Sequence, residues 1–273
     1  MLGMRMAVQV ATPGQRDAAL DLAVRLAQRL QAQLDGVHAV MLPTASFAVP
    51  EAVSLQVQES EAARVAAQAQ QPWWEQVLQQ AGLRGDWRVG EGDAAEVMGL
   101  AAAASDLLVL QRPRLREDVP IGYGNTSRTV FGAQRPVLVL PAAGAADCGR
   151  RVLLAWNGSI EAVRALHGAL PLLAQAEAVH VLDGSEARGP EGLAWLPTLA
   201  PSRVLELNGI AASSERFAPQ GAPAAAILAR AQALQCDLIV MGAWGHSRLA
   251  EMILGGVTRA LFRECPLPLL VAH

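Results

Sequence analysis

The sequence predicts an α/β protein of two tandem doubly wound domains, each with a mainly parallel, roughly five-stranded sheet and helices on both faces. Short, continuous apolar runs alternate with segments whose apolar residues recur every three or four positions. This order of strands and helices occurs twice along the 273 residues. The length suits two domains of about 100–150 residues each.

The two halves open in the same way, with a strand, a glycine turn and a helix. The segments with this pattern are Met6–Val10, Gly14 and Arg16–Leu30 in the first half, and Arg151–Ala155, Gly158 and Ile160–Leu173 in the second. Later strands also match in pairs, namely Gly36–Val40 with Ala178–Leu182, Asp106–Leu110 with Asp237–Met241, and Arg135–Leu140 with Leu267–Ala272. A small-residue linker, Ala142–Gly149, separates the halves, so we expect domains at residues 1–145 and 149–273.

Composition argues against several classes of protein. Only 17% of the residues are charged, the net charge is −3 and 4% are aromatic, so we expect no nucleic-acid partner. No apolar window is long enough for a membrane span, and the first residues lack a signal-peptide pattern. The three cysteines show no metal-binding spacing. We therefore expect a cytoplasmic protein with reduced thiols, no membrane association and no metal ligands of its own.

The ends of the first and fourth strands in each half are expected to flank a ligand crevice, because that is where strand order reverses in a doubly wound sheet. In the second half these ends carry Asn157 and the stretch Gly242–Gly245. Gly255 and Gly256 then precede a helical pattern, and a helix N-terminus suits a phosphate group. The same glycines also suit a tight turn and a helix cap, so spacing alone leaves both interpretations open.

The glycine stretch resembles the universal stress protein family, whose nucleotide-binding members carry Gly-x2-Gly-x9-Gly-Ser/Thr after the fourth strand. Gly242, Gly245 and Gly255 fit that spacing, Gly256 stands where Ser or Thr is usual, and Cys265–Val271 looks like the family's ending. Since the repeat covers both halves, the whole chain resembles a tandem universal stress protein with an adenine nucleotide alpha hydrolase-like fold.

The resemblance implies an intrachain pseudo-dimer whose contact is formed by the terminal strands, Val137–Leu140 and Leu269–Ala272. It also implies a C-terminal site for ATP or another adenine nucleotide, with Mg²⁺ accompanying the phosphates. The positions matching the family's nucleotide-binding residues are Asn157, Val181, Gly242, Gly245, Gly255, Gly256, Val257 and Thr258. Asn157 replaces the family's aspartate, and the bulky Trp244 either stacks on a ligand or fills the pocket.

The N-terminal half departs further from the family pattern. Its fourth strand ends Leu110–Pro113 without glycine, so we expect no ATP binding there in the family manner. Thr126 and Ser127 are expected to cap the following helix. His38 and His180 hold equivalent positions and are expected to be structural, while Trp74 is expected to pack in a core.

The expected function is stress protection or sensing, with nucleotide bound in the C-terminal half without efficient catalysis. No acid–base pair accompanies the motif, so we expect at most a weak ATPase. Three alternatives stay open: a slow nucleotide hydrolase or transferase, an interaction protein that binds no nucleotide and recognises an unknown protein partner, and a protein that binds a different ligand such as a lipid or metabolite. The sequence leaves open whether two chains form a homodimer.

Overall fold

The computed structural model describes residues 3–41, 50–112, 124–185, 200–244 and 256–273. The N-terminal half contains β1 (Arg5–Gln9), α1 (Ala18–Leu30), β2 (Gln33–Val40), α2 (Pro50–Gln68), α3 (Gln71–Ala81), β3 (Trp87–Glu91), α4 (Ala94–Ala103), β4 (Leu107–Gln111), α5 (Asn125–Ala133) and β5 (Val137–Leu140). The C-terminal half contains β6 (Arg151–Trp156), α6 (Ile160–Leu173), β7 (Ala178–Asp183), α7 (Pro201–Leu207), β8 (Ala212–Arg216), α8 (Pro223–Ala233), β9 (Leu238–Gly242), α9 (Gly256–Glu264) and β10 (Leu269–Ala272).

The strands form one sheet in the order β3-β2-β1-β4-β5-β10-β9-β6-β7-β8. Neighbouring strands within each half are parallel, as the continuous apolar runs predict. The halves meet where β5 pairs with β10 in the antiparallel sense, with Leu138 opposite Leu270. The predicted α/β architecture and the predicted contact between the terminal strands are both confirmed.

Apolar side chains cover both faces of the sheet. On one face, α1, α3 and α6 pack over residues such as Val8 and Leu154. On the other face, α4, α5, α8 and α9 pack over residues such as Leu108 and Ile239. Every residue of β5 and of β10 is buried, so the junction between the halves lies in the middle of the core.

Strand order reverses once in each half. In the N-terminal half, β2 lies on one side of β1, and β4 and β5 lie on the other. In the C-terminal half, β7 lies on one side of β6, and β9 and β10 lie on the other. These are the points where doubly wound sheets bind ligands. Because β5 and β10 are antiparallel, the carboxyl ends of the two sets of strands lie at opposite edges of the sheet. The two crevices therefore open in opposite directions.

Two local predictions have different outcomes. Trp74 is 1% exposed and packs in the core, as predicted. The prediction that Thr126 and Ser127 cap α5 is wrong, because the helix begins earlier, at Asn125, with Gly124 as its N-cap and no capping side chain. Both hydroxyl residues fall inside the first turn.

None of the helices that the structure describes is both long and apolar enough to cross a bilayer.

Candidate functional site

The C-terminal crevice is bounded on one side by the turn that follows β6. Asn157 is exposed directly after this strand, and its Oδ1 accepts a hydrogen bond of 3.1 Å from the Ser159 amide. The Ser159 hydroxyl in turn accepts from the Ala162 amide at 3.2 Å, which caps α6. The Asn157 oxygen thus shapes the turn, and its side-chain amide has further donor capacity for a ligand.

Gly242 ends β9 on the other side of the crevice, and here the helix α6 makes its closest approach. A Cβ at Gly242 would lie 2.5 Å from the Ala162 nitrogen and 2.8 Å from the Glu161 carbonyl carbon. No side chain fits so close to backbone atoms. This glycine therefore has a packing role that the motif alone does not reveal: it lets the first turn of α6 rest on the end of β9.

The first turn of α9 lies beside the end of β9. Thr258 is 4% exposed, and its hydroxyl accepts a hydrogen bond of 3.3 Å from the Trp244 amide. Gly256 begins the helix and is exposed, and a Cβ there would meet no described atom within 4 Å. Val257 is partly buried against the apolar cluster under α9. The structure thus brings Gly242, Thr258 and the start of α9 together.

Gly245 and Gly255, the other two glycines of the sequence motif, lie outside the described residues.

The Trp244 side chain packs between the two halves. Its indole stacks on Phe131 of α5, with ring centroids 4.3 Å apart, and on Phe262 of α9, with centroids 5.1 Å apart. Only 7% of the residue is exposed, and its backbone φ is +53°. Of the two interpretations of this bulky residue, stacking on a ligand is excluded for this conformation because both ring faces are occupied. The ring fills space between the halves.

Val181 does not bring its side chain to the crevice. It lies two residues before the end of β7, is 2% exposed and packs in the apolar cluster with α6. Only its backbone is available to a ligand. Asp183, at the end of the same strand, lies opposite Trp156 and is half-buried.

The glycine motif does not predict the two carboxylates that lie near this crevice. Asp183 accepts hydrogen bonds from both the amide and the hydroxyl of Ser185. Glu161 is 7% exposed in the first turn of α6, where its stem lies against Gly242. The sequence feature that could have identified Glu161 is an acidic residue in the first turn of the helix that follows the first strand of this half.

Arg112 of the N-terminal half contacts α9 of the C-terminal half. It follows β4 and donates to the carbonyls of Phe262, Leu261 and Cys265 at the end of α9. A cation there complements the negative end of the helix. Burial holds the pKa of Arg112 below its usual value, without neutralising a guanidinium. A residue lining one crevice therefore fixes the helix whose start lies at the other.

The N-terminal crevice contains a cavity of about 660 Å³ at the ends of β1 and β4. The starts of α1, α4 and α5 close its sides. It occupies the reversal point that the topology defines, in the half whose sequence lacks the glycine motif.

The histidines of the second strands have structural contacts, in line with the sequence interpretation. His38 Nδ1 lies 2.8 Å from the Val10 carbonyl oxygen, and His180 Nδ1 lies 2.7 Å from the Ser213 hydroxyl. Burial, with Arg151 and Arg230 nearby, holds the pKa of His180 below its usual value. Across the part of the chain that the structure describes, no group of three His, Cys, Asp or Glu residues is placed to hold a metal ion.

Comparison with known proteins agrees with this geometry. Residues 149–273 match the model of the universal stress protein family. This match covers the C-terminal half. A curated universal stress protein of Synechocystis sp. is 29% identical over 148 residues, which cover 54% of this chain and 50% of that protein. The chain thus spans about half the length of this universal stress relative.

Solved structures extend the likeness to both halves. A universal stress protein from Archaeoglobus fulgidus matches with a TM-score of 0.69 at 18% identity, covering 97% of each chain. A putative universal stress protein from Pseudomonas aeruginosa matches with a TM-score of 0.56 at 16% identity, covering 99% of this chain and 93% of that one. At these identities the likeness concerns the fold, and it includes the N-terminal half.

Proposed function

We propose that this chain acts as a tandem universal stress protein in stress protection or sensing, and that its C-terminal crevice holds an adenine nucleotide without efficient catalysis. The observation that carries the proposal is the 3.3 Å hydrogen bond between Trp244 N and Thr258 Oγ1. It holds the N-terminus of α9 at the strand-order reversal between β6 and β9. The amides of its first turn and the positive end of the helix dipole then lie near the place where ligands bind in this type of sheet.

The residues around the crevice suggest how a nucleotide is oriented. The phosphates lie at the start of α9, where no described atom is within 4 Å of a Cβ at Gly256. The base and ribose lie toward β6 and β7, where Asn157 and Asp183 offer hydrogen-bonding groups. Glu161 disfavours phosphate on that side, since like charges repel. Mg²⁺ would arrive with the phosphates, because the described residues form no site for it by themselves.

Two of the sequence-matched residues contribute little through their side chains. Gly242 supports α6, and Val181 offers only its backbone. The proposal therefore rests on the backbone amides of α9 and on Asn157. Backbone amides hold an anion without supplying a general base, which fits binding in preference to turnover.

The test is calorimetric titration of AMP and ATP, with Mg²⁺, into the full chain and into Gly256→Glu. The new carboxylate lies at the start of α9, where it suits the helix dipole but repels phosphate. Gly132→Glu is the matched control, because Gly132 also lies in a helix with no atom within 4 Å of an added Cβ. We expect affinity to fall at least tenfold in Gly256→Glu and to stay unchanged in Gly132→Glu.

The alternatives predict different results. Equal weakening in both variants would mean that α9 does not hold the phosphates. Absence of heat with the unchanged protein up to millimolar nucleotide would reject nucleotide binding and favour an interaction protein. Release of phosphate from ATP at several turnovers per minute, abolished in Gly256→Glu, would favour the hydrolase.

A further inference from the structure

The sheet of the described chain ends at β8, and all five residues of this strand are exposed. Within the described sheet β8 pairs with β7 alone. The opposite end of the sheet is shielded, because α2 lies against β3 and the Ala67 carbonyl accepts a hydrogen bond of 2.9 Å from the Trp87 indole. An uncovered edge strand is a template for another extended chain. The two ends of the sheet thus differ, and β8 is the open one.

The register with β7 defines which backbone groups of β8 face outward. The Phe217 amide donates to the Asp183 carbonyl at 2.8 Å, so the alternate residues before Phe217 also face β7. Ser214 and Arg216 then direct their N–H and C=O groups away from the sheet. Among the hydrogen bonds of the described residues, none involves these four groups. Their regular spacing along the edge matches the backbone of an added extended chain.

An apolar groove lies beside the end of β8, between this strand and α8. It has a volume of about 410 Å³, enough for an amino-acid side chain. Its lining includes Phe217, Pro219, Ala226 and Ala229. Glu215 and Arg230 also line it and pair with each other, with Arg230 Nε 2.6 Å from Glu215 Oε1, so their charges offset. The groove therefore favours an apolar side chain over a charged one.

A chain added beside β8 would direct alternate side chains to the two faces of the sheet. On the face of Glu215 and α8, a side chain meets the groove. On the other face it meets Arg216, whose side chain is 58% exposed. The described ion pair of Arg216, with Asp183, has a separation of 4.0 Å, so the guanidinium can turn toward a partner. Neighbouring apolar and acidic residues in the added chain would satisfy both faces.

We propose that β8 and this groove dock an extended segment of a partner protein, in which an apolar residue adjoins an acidic one. A second copy of the chain fits less well. Its own β8 would bring Ser213 or Glu215 to the groove, and neither side chain is apolar. The docking surface uses neither Asn157 nor α9, so it does not rest on the nucleotide proposal.

The test selects binders from a library of short random peptides, with the full chain as the target. We expect the enriched peptides to share an apolar residue next to Asp or Glu. Amide hydrogen exchange, followed by NMR with the tightest synthetic peptide, then reports the docking mode. Exchange at Ser214 and Arg216 should slow about tenfold or more on binding. Ser213 and Glu215 should change little, because their amides already face β7.

Ser214→Pro removes an outward N–H without removing a hydrogen bond to β7, a position where an edge strand tolerates proline. We expect peptide affinity to fall at least tenfold, about the loss of one hydrogen bond together with a steric clash. Ser214→Ala is the matched control, since it keeps the N–H and should bind as the unchanged protein does.

Ala229→Glu tests the groove without touching the strand. It places a carboxylate among apolar walls and should weaken the peptide about tenfold. Ala225→Glu is its control, because Ala225 is exposed on the same helix and lies outside the groove lining. Arg216→Gln should weaken the peptide about threefold and remove the preference for an acidic residue.

Three results would each overturn the proposal. The first is a selection that yields no common sequence. The second is peptide binding of equal strength to Ser214→Pro, Ala229→Glu and the unchanged protein. The third is a dimer in sedimentation that Ser214→Pro dissociates, which would assign the edge to a second copy. Gly256→Glu should leave peptide binding unchanged, so a failure of nucleotide binding at α9 is distinguishable from a failure here.

Discussion

The indole of Trp244 lies 4.3 Å from the phenyl ring of Phe131, centroid to centroid, although the two residues belong to different halves. The other face of the indole stacks on Phe262. Phe131 and Phe262 are both the seventh residue of their helices, α5 and α9, so they are equivalent in the repeat. Trp244, in the stretch Gly242–Gly245, thus joins the halves by packing between two aromatic rings at equivalent positions of the repeat.

Trp244→Ala should lower the free energy of unfolding by about 3–5 kcal/mol, because a buried indole is lost and a cavity remains between the halves. Urea denaturation followed by circular dichroism measures this change. Trp244→Phe retains one ring in the stack and should cost less than half as much. Equal losses in the two variants would contradict a stacking role.

Gly242→Ala should destabilise the protein by about 1–3 kcal/mol or more, since a Cβ would meet the backbone of α6 at 2.5 Å. Gly256→Ala is the matched substitution within the same motif. Its Cβ would meet no described atom within 4 Å, so stability should stay within about 0.5 kcal/mol of the unchanged protein. Denaturant midpoints for the pair test whether the two glycines have separate roles. Equal effects would argue against the packing role of Gly242.

Arg112→Met should lower stability by about 2 kcal/mol, because the last carbonyls of α9 lose a charged donor. Hydrogen exchange should quicken most at Leu261–Cys265, which reports on the end of this helix. Arg16→Met is the control, as its side chain is exposed and should leave exchange in α9 unchanged. Faster exchange spread evenly over the C-terminal half would contradict a local capping role.

His180 should make stability depend on pH in the mildly acidic range. Its pKa is lowered in the folded state by burial and by Arg151 and Arg230, against a smaller opposing effect of Glu215. Its contribution is therefore full above its unfolded pKa, about 6.5, and is lost as pH falls toward the folded value. Urea midpoints measured from pH 8 to pH 5 should fall less steeply in His180→Gln.

At pH 8 the imidazole is neutral in both the folded and the unfolded state. The difference in urea midpoint between His180→Gln and the unchanged protein at that pH therefore measures the effect of losing the Ser213 contact. Parallel midpoint curves over the whole range would show that His180 does not contribute to the slope.

Local patterns in the sequence were sufficient to predict several of the strands and helices. The apolar run Leu269–Ala272 is too short for a helix and is the strand predicted. The three- and four-residue periodicity of Ile160–Leu173 gives a helix with those bounds. The repeat then implied which strands are equivalent, whereas the contact between the terminal strands was expected from the resemblance to the universal stress protein family. The predictions of individual elements depend on residues close in sequence, which is why they succeed.

The contacts that define the two crevices depend on residues far apart in the chain. Arg112 and Phe262 are 150 positions apart, and no sequence period connects them. The packing role of Gly242 could not be predicted from the motif, because its close neighbour, the start of α6, lies about 80 residues earlier. The N-terminal cavity draws on five elements, so its walls emerge only once the sheet order is known. Motif spacing carries no information about such contacts.

The antiparallel pairing of β5 with β10 also sets the separation of the two crevices. The two crevices open at opposite edges and are four strand spacings and one strand length apart, roughly 25 Å. Two ligands joined by a short tether cannot reach both, because the tether would have to pass through the core. A compound of that kind could reach only one crevice of a given chain.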